Sequence, residues 1–129
     1  MVVGVCQMRL ALPGNDSLKG KRAVVRSVVE RTAHRFNVAI AEVGAQDAHR
    51  RALLGFAVVS NDVAHANAML DRIAAAVERA AEQAQAVPEG RTIEILHVGE
   101  EADVAGHLGS WADYEDPDEP ADEDPDGIS

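Results

Sequence analysis

The residue pattern predicts an α+β fold: one four-stranded antiparallel sheet carrying two helices on a single face. Three observations predict it. Two stretches repeat apolar residues at the helical period, and four shorter runs are apolar and rich in β-branched residues. Turn-forming residues separate these runs and set them in the order βαββαβ.

The elements follow in chain order. Val2, Gly4, Cys6, Met8, Leu10 and Leu12 occupy alternate positions, with Gln7 and Arg9 between them. Residues 2–12 therefore read as a half-buried strand, stopped by Pro13-Gly14. Asp16 or Ser17 can cap a helix whose apolar positions Leu18, Val25, Val28, Val29, Thr32 and Phe36 keep the 3.6 period. Its β-branched valines lower intrinsic helix propensity, so this helix depends on packing. Residues 37–43 form a short second strand and residues 50–60 a third, joined as a hairpin through Gly44-Ala45-Gln46-Asp47-Ala48-His49. Ser60-Asn61-Asp62 offers caps for a second helix to about Gln85, with the stripe Ala66, Met69, Leu70, Ile73, Val77 and Ala80. Pro88-Glu89-Gly90 breaks that helix, and residues 91–99 make the fourth strand. Two right-handed crossovers in this order give the ferredoxin-like split arrangement, which leaves the far face of the sheet open.

At 129 residues the chain has the length of one domain with a single core. Residues 1–100 are expected to be that domain, and residues 101–129 an acidic extension too polar and proline-broken to fold alone. Met1 runs straight into Val2-Val3-Gly4 with no basic leader, and no apolar run is long enough to span a bilayer. The single Cys6 excludes an internal disulfide and a CxxC metal site, and it fits a reducing, cytoplasmic setting.

Net charge is −10, but it is unevenly placed. Residues 113–129 carry nine acids and no Lys or Arg, whereas residues 1–60 carry nine cations against four acids. An acidic total therefore does not exclude an anionic partner. Only two of the twelve cations are lysines, Lys19 and Lys21, and both lie where the first strand hands over to the first helix. Lys19, Arg22 and Arg26 share one helix face, with Lys21 beside them. A helix start offers free N–H groups and the positive end of the dipole, which suits phosphate. Arg50 and Arg51 extend this patch if the hairpin end lies on the same side. The plain alternative is a solvated face on which Arg26 and Glu30 pair at i, i+4.

Leu12-Pro13-Gly14, Ser17-Leu18-Lys19-Gly20-Lys21-Arg22, Arg35-Phe36-Asn37-Val38-Ala39-Ile40-Ala41-Glu42-Val43, Gln46-Asp47 and Val59-Ser60-Asn61-Asp62 occur in that order. Together they resemble the YlxP-like family, bacterial proteins of unknown function, over about residues 1–100. The resemblance implies a ferredoxin-like fold, a homodimer and a gene neighbourhood of translation and ribosome-maturation factors. It implies no established activity and no established binding residues. This chain departs from the family pattern in its acidic extension and in its Gly44-Ala45 turn.

Other chemistries have weaker support in the residues. Gly55-Phe56 on the third strand echoes the RNA-stacking motif of RRM sheets, but the further stacking aromatics are absent, and Phe56 reads as a core or dimer residue. The acylphosphatases share this topology, yet their Gly-Arg-rich phosphate loop is missing between Arg9 and Asn15. His34, His49, His65, His97 and His107 lack ligand spacing, so neither a metal nor a cofactor is expected, nor any catalytic residue. Val3, Val5, Ala39 and Ala41 instead suit pairing of two subunits through the open sheet face.

The expectation is a non-enzymatic accessory factor that contacts a ribosomal subunit or rRNA through Lys19, Lys21, Arg22, Arg26, Arg50 and Arg51, with no DNA specificity and no membrane contact. The alternative is a homodimeric structural or regulatory module that binds no nucleic acid. The extension is either a solubilising tail or a phosphate mimic that competes for the same cations, docked by Trp111 and Tyr114.

Overall fold

The computed structural model describes residues 1–99, and Met1–His97 form one compact unit. Its elements are β1 (Val2–Ala11), α1 (Leu18–Arg35), β2 (Ala39–Gly44), β3 (Arg51–Ser60), α2 (Val63–Gln83) and β4 (Val87–His97). All pairings are antiparallel and the strand order is β2-β3-β1-β4, so the fold is ferredoxin-like, as the element order requires.

The two-residue period of the strands builds the core. Cys6, Met8 and Leu10 of β1 and Ala52, Leu54 and Phe56 of β3 are buried on the helix side. Leu70, Ile73 and Val77 of α2 and Val25 and Val28 of α1 close over them. Gly4 allows α2 to come close, because a Cβ there would stand 2.9 Å from Leu70 Cδ1. Ser17 caps α1, accepting from the Gly20 N–H at 3.0 Å, and Asp62 caps α2, accepting from the His65 N–H at 2.9 Å.

One element differs from the sequence reading. Pro88-Glu89-Gly90 lies inside β4 rather than ahead of it. β4 is an edge strand and Pro88 lies next to a register shift, two places where a strand tolerates proline. The register steps from Arg9↔Gly90 to Leu10↔Pro88, which leaves Glu89 as the extra residue of a bulge, and Gly90 takes the φ of 149° found there. The chain leaves α2 through Ala84 and a left-handed Gln85, not through the proline. Residues 100–129, with the expectations for the acidic tail, Trp111 and Tyr114, lie outside the described residues. Among the described residues no helix is long and apolar enough to cross a membrane.

Candidate nucleic-acid interface

The basic junction is held by one loop. After β1, Pro13-Gly14 turns the chain and Asn15 places its side-chain amide between two backbones. Its Nδ2 donates to the carbonyl of Ser17 at 2.8 Å and to that of His49 at 2.6 Å. Arg50 returns the contact, its Nε donating to the Asn15 carbonyl at 3.1 Å. The Leu12 N–H donates to the Arg50 carbonyl at 2.9 Å. The β2–β3 hairpin end is therefore fastened to the start of α1, with Arg50 beside it, while Arg51 is in phase with Leu53 and Gly55 and leaves β3 at the same end on the open-face side.

Lys21 corrects the sequence reading. It is 1% exposed, the largest fully buried side chain of the described residues, and so is not available to an external phosphate. Its Nζ donates to the carbonyls of Ala45 at 2.6 Å and Arg51 at 3.2 Å. Oε2 of Glu42 lies 3.0 Å from the same nitrogen and completes a buried ion pair. The cause is helix phase: Lys21, Val25, Val28 and Thr32 form the buried stripe of α1. Glu42 alternates with Ile40 on the inward face of β2 and meets Lys21 there.

The other five cations are exposed. Lys19, Arg22 and Arg26 lie on the flank of α1 away from its buried stripe, and Arg50 and Arg51 lie at the fastened hairpin end. Arg26 stands about 10 Å along the helix from Lys19. Asp16, Asp47 and His49 line a shallow groove of about 460 Å³ with Arg50 and Arg51, so two carboxylates temper the hairpin end. The first turn of α1 contains no acid. Cations at a helix N-terminus oppose the dipole, a mismatch that a bound anion relieves.

Gly20 owes its place to close approach rather than to flexibility. A Cβ there would press into Asn15 Oδ1 and lie 3.2 Å from Ser17 Oγ. In an exposed helix interior Gly→Ala stabilises by about 1 kcal/mol. Here Gly20→Ala is expected to reverse that sign and destabilise by about 1 kcal/mol, because displacing Asn15 breaks two hydrogen bonds. Urea unfolding checks this: Gly20→Ala loses stability in the parent but gains it in an Asn15→Gly background, where no amide is left to displace.

The remaining candidates resolve by placement. Phe56 is 3% exposed and faces the helices, so it cannot stack a base on the open face. Cys6 is buried, and that burial pushes its thiol above the ordinary range, with Arg91 partly opposing the shift. Among the described residues no three His, Cys, Asp or Glu side chains gather as metal ligands.

Residues 3–87 match the family model described as "Protein of unknown function (DUF503)". The chain belongs to this family. It is also 32% identical over 77 residues to the uncharacterized protein YlxP of Bacillus subtilis (strain 168), across 60% of this chain and 84% of that one. The YlxP-like resemblance read from the ordered motifs therefore holds. Two solved structures are similar at low identity. A de novo designed ferredoxin-fold protein matches at TM-score 0.45 and 15% identity, over 78% of this chain and 91% of that one. A C-terminal segment of the alpha subunit of aIF2 from Pyrococcus abyssi matches at TM-score 0.43 and 13% identity, over 75% and 52%. Neither likeness bears on activity.

Proposed function

We propose that this family member is a non-enzymatic cytoplasmic accessory factor that contacts RNA, on the ribosome or its assembly intermediates, through Lys19, Arg22, Arg26, Arg50 and Arg51. One observation carries the reading. The Asn15–His49 and Arg50–Asn15 hydrogen bonds hold two basic segments, 24 or more residues apart in sequence, at one corner of the fold. A further support is the mismatch of cations with the α1 dipole. The gene neighbourhood implied by the family resemblance favours translation as the setting. Contacts of this kind go to phosphates and are tolerant of sequence.

The test is co-sedimentation of the full chain with ribosomal subunits at two salt concentrations, beside Lys19→Glu/Arg22→Glu. Retention of the parent at low salt and its loss in the variant supports the reading. If no subunit retains the parent even at low salt, the reading fails.

The open sheet face favours a second reading, a homodimeric interaction module. Rows across it run Ala39–Ala57–Val5–Glu94 and Ala41–Gly55–Gln7–Thr92, and small residues hollow them into an apolar groove of about 520 Å³. Val59 and Leu96 flank Val3 on the same face and are 63% and 41% exposed. A second copy would bury them. Ala57→Arg places an unpaired charge in that contact, so the dimer dissociation constant is expected to rise about 100-fold, equivalent to about 3 kcal/mol. Analytical ultracentrifugation decides: a parent protein that stays monomeric at high concentration rules the dimer out.

A further inference from the structure

The far half of α1 faces α2 across a small cleft of about 140 Å³. Ala76 and Ala80 of α2 lie beside Thr32 of α1 at its base, all three buried, and the small alanines leave the space open. Its rim is cationic: Arg31 and Arg35 come from α1 and Arg79 from α2. All three arginines are exposed.

Three features make this more than a scatter of surface charge. First, none of the three guanidiniums is paired. Among the described residues, the ion pairs Lys21–Glu42 and Arg91–Asp71 involve none of them, and no carboxylate lines the cleft. Three like charges around so small a space repel one another, and an anion between them removes that cost. Second, two of the guanidiniums are already held. Arg31 Nη1 donates to Gln83 Oε1, and the Arg35 guanidinium lies over the Phe36 ring at 5.2 Å from its centroid. Side chains fixed before binding lose less freedom on binding. Third, the helix dipole does not account for the cluster. It explains a cation in the last turn of α1, where Arg35 and His34 lie, but not Arg31 or Arg79.

We propose that this interhelical cleft is a second anion site, separate from the basic corner, that takes one phosphate group on Arg31, Arg35 and Arg79. The volume sets the ligand class. It is well below the ~300 Å³ at which pockets begin to hold a drug-sized molecule, so the group that enters is a single tetrahedral oxyanion rather than a nucleoside. Guanidinium forks are the donors best matched to phosphate oxygens, two parallel N–H bonds to a pair of them. Thr32 takes no part, because its Oγ1 already donates to the Val28 carbonyl at 2.9 Å. The site does not depend on the RNA reading. Arg31 and Arg35 lie about 18 and 24 Å along α1 from Lys19, and they face α2 rather than the outer flank.

The phosphate is either a free ion or part of a nucleic acid, and the experiment separates these sources. The side-chain Nε–H resonances of the full chain are followed by NMR at constant ionic strength. Sodium phosphate is titrated against sodium chloride, and a short 5′-phosphorylated oligoribonucleotide against its 5′-hydroxyl counterpart. Saturable shifts at Arg31, Arg35 and Arg79, seen with phosphate and not with chloride, are the expected result. Arg31→Gln/Arg79→Gln is expected to weaken the inorganic-phosphate midpoint at least tenfold, whereas Lys19→Glu/Arg22→Glu leaves that inorganic-phosphate midpoint within about twofold of the parent's. A response to inorganic phosphate but to neither oligonucleotide assigns a free ion. A response to the phosphorylated strand alone of the two assigns a terminal phosphate, and equal responses to both strands assign the phosphodiester chain. Shifts of equal size with chloride, shifts that never saturate, or a midpoint untouched by Arg31→Gln/Arg79→Gln overturn the proposal. All the substituted side chains are exposed, so circular dichroism verifies folding without affecting the comparison.

Discussion

Lys21→Met is expected to destabilise the protein by about 3 kcal/mol, although lysine is ordinarily a surface residue and methionine a good core one. The side chain lies within the fold, with two backbone carbonyls and the Glu42 carboxylate around its ammonium. Removing the ammonium leaves those groups facing an apolar sulfur. Breaking one side of a buried ion pair generally costs about 3–5 kcal/mol. The Glu42 side chain is 18% exposed, so water reaches part of the stranded carboxylate, and the lower end of that range applies. Glu42→Gln alone is expected to cost less, because Lys21 keeps both carbonyl acceptors. Combining Lys21→Met with Glu42→Leu should recover most of the loss, since an apolar pair of similar volume often replaces a buried ion pair without penalty. Urea midpoints of the three variants give the comparison. A Lys21→Met protein within 0.5 kcal/mol of the parent, or a double variant no more stable than the single one, contradicts this account.

That lysine also marks what could be read from the residues and what could not. The order βαββαβ, the Ser17 and Asp62 caps and the inward stripe of α2 all follow from local pattern, because the period of 2 or 3.6 is set by the backbone itself. Lys21 is a different case. Its position falls on the same stripe as Val25, Val28 and Thr32, so helix phase alone pointed it inward. Its charge pointed outward. What decides is Glu42, another inward-facing position, on a strand 21 residues away whose register only the folded sheet establishes. The signal was present as two charged residues at two apolar-phase positions, and it becomes decisive only as a pair. Pro88 is similar: proline excludes a central strand, and only the strand order shows β4 to be an edge. Asn15 and the Arg31–Arg79 cleft have no local signature. Each joins residues distant in sequence through tertiary contact.

The basic corner should bind RNA with a salt dependence steep enough to count its contacts. Five exposed cations, each displacing one condensed counterion, give a log–log slope of about −3.5 on single strands and −4.5 on a duplex. Raising salt from 50 to 200 mM should then weaken binding by about 100- to 500-fold. Lys19→Glu/Arg22→Glu removes two of the five contacts and adds repulsion, so the slope is expected to fall to about −2 to −3, with most of the low-salt affinity lost. Arg50→Glu/Arg51→Glu tests the other half of the same surface and should lower the slope to a similar degree, because the hairpin end is fastened to the start of α1. Here the two ways of removing cations part company. Lys21→Met eliminates a cation from the same heptad of sequence, but one that makes no external contact, so under conditions where that variant is folded its slope should equal the parent's. Filter binding of ribosomal RNA fragments across a salt series measures all four proteins. Slopes that fall equally for Lys21→Met and for Lys19→Glu/Arg22→Glu would mean that net charge alone, and not this corner, governs the interaction. A slope near zero for the parent would mean that its cations are solvated, and the homodimeric module would then be the better account of the fold.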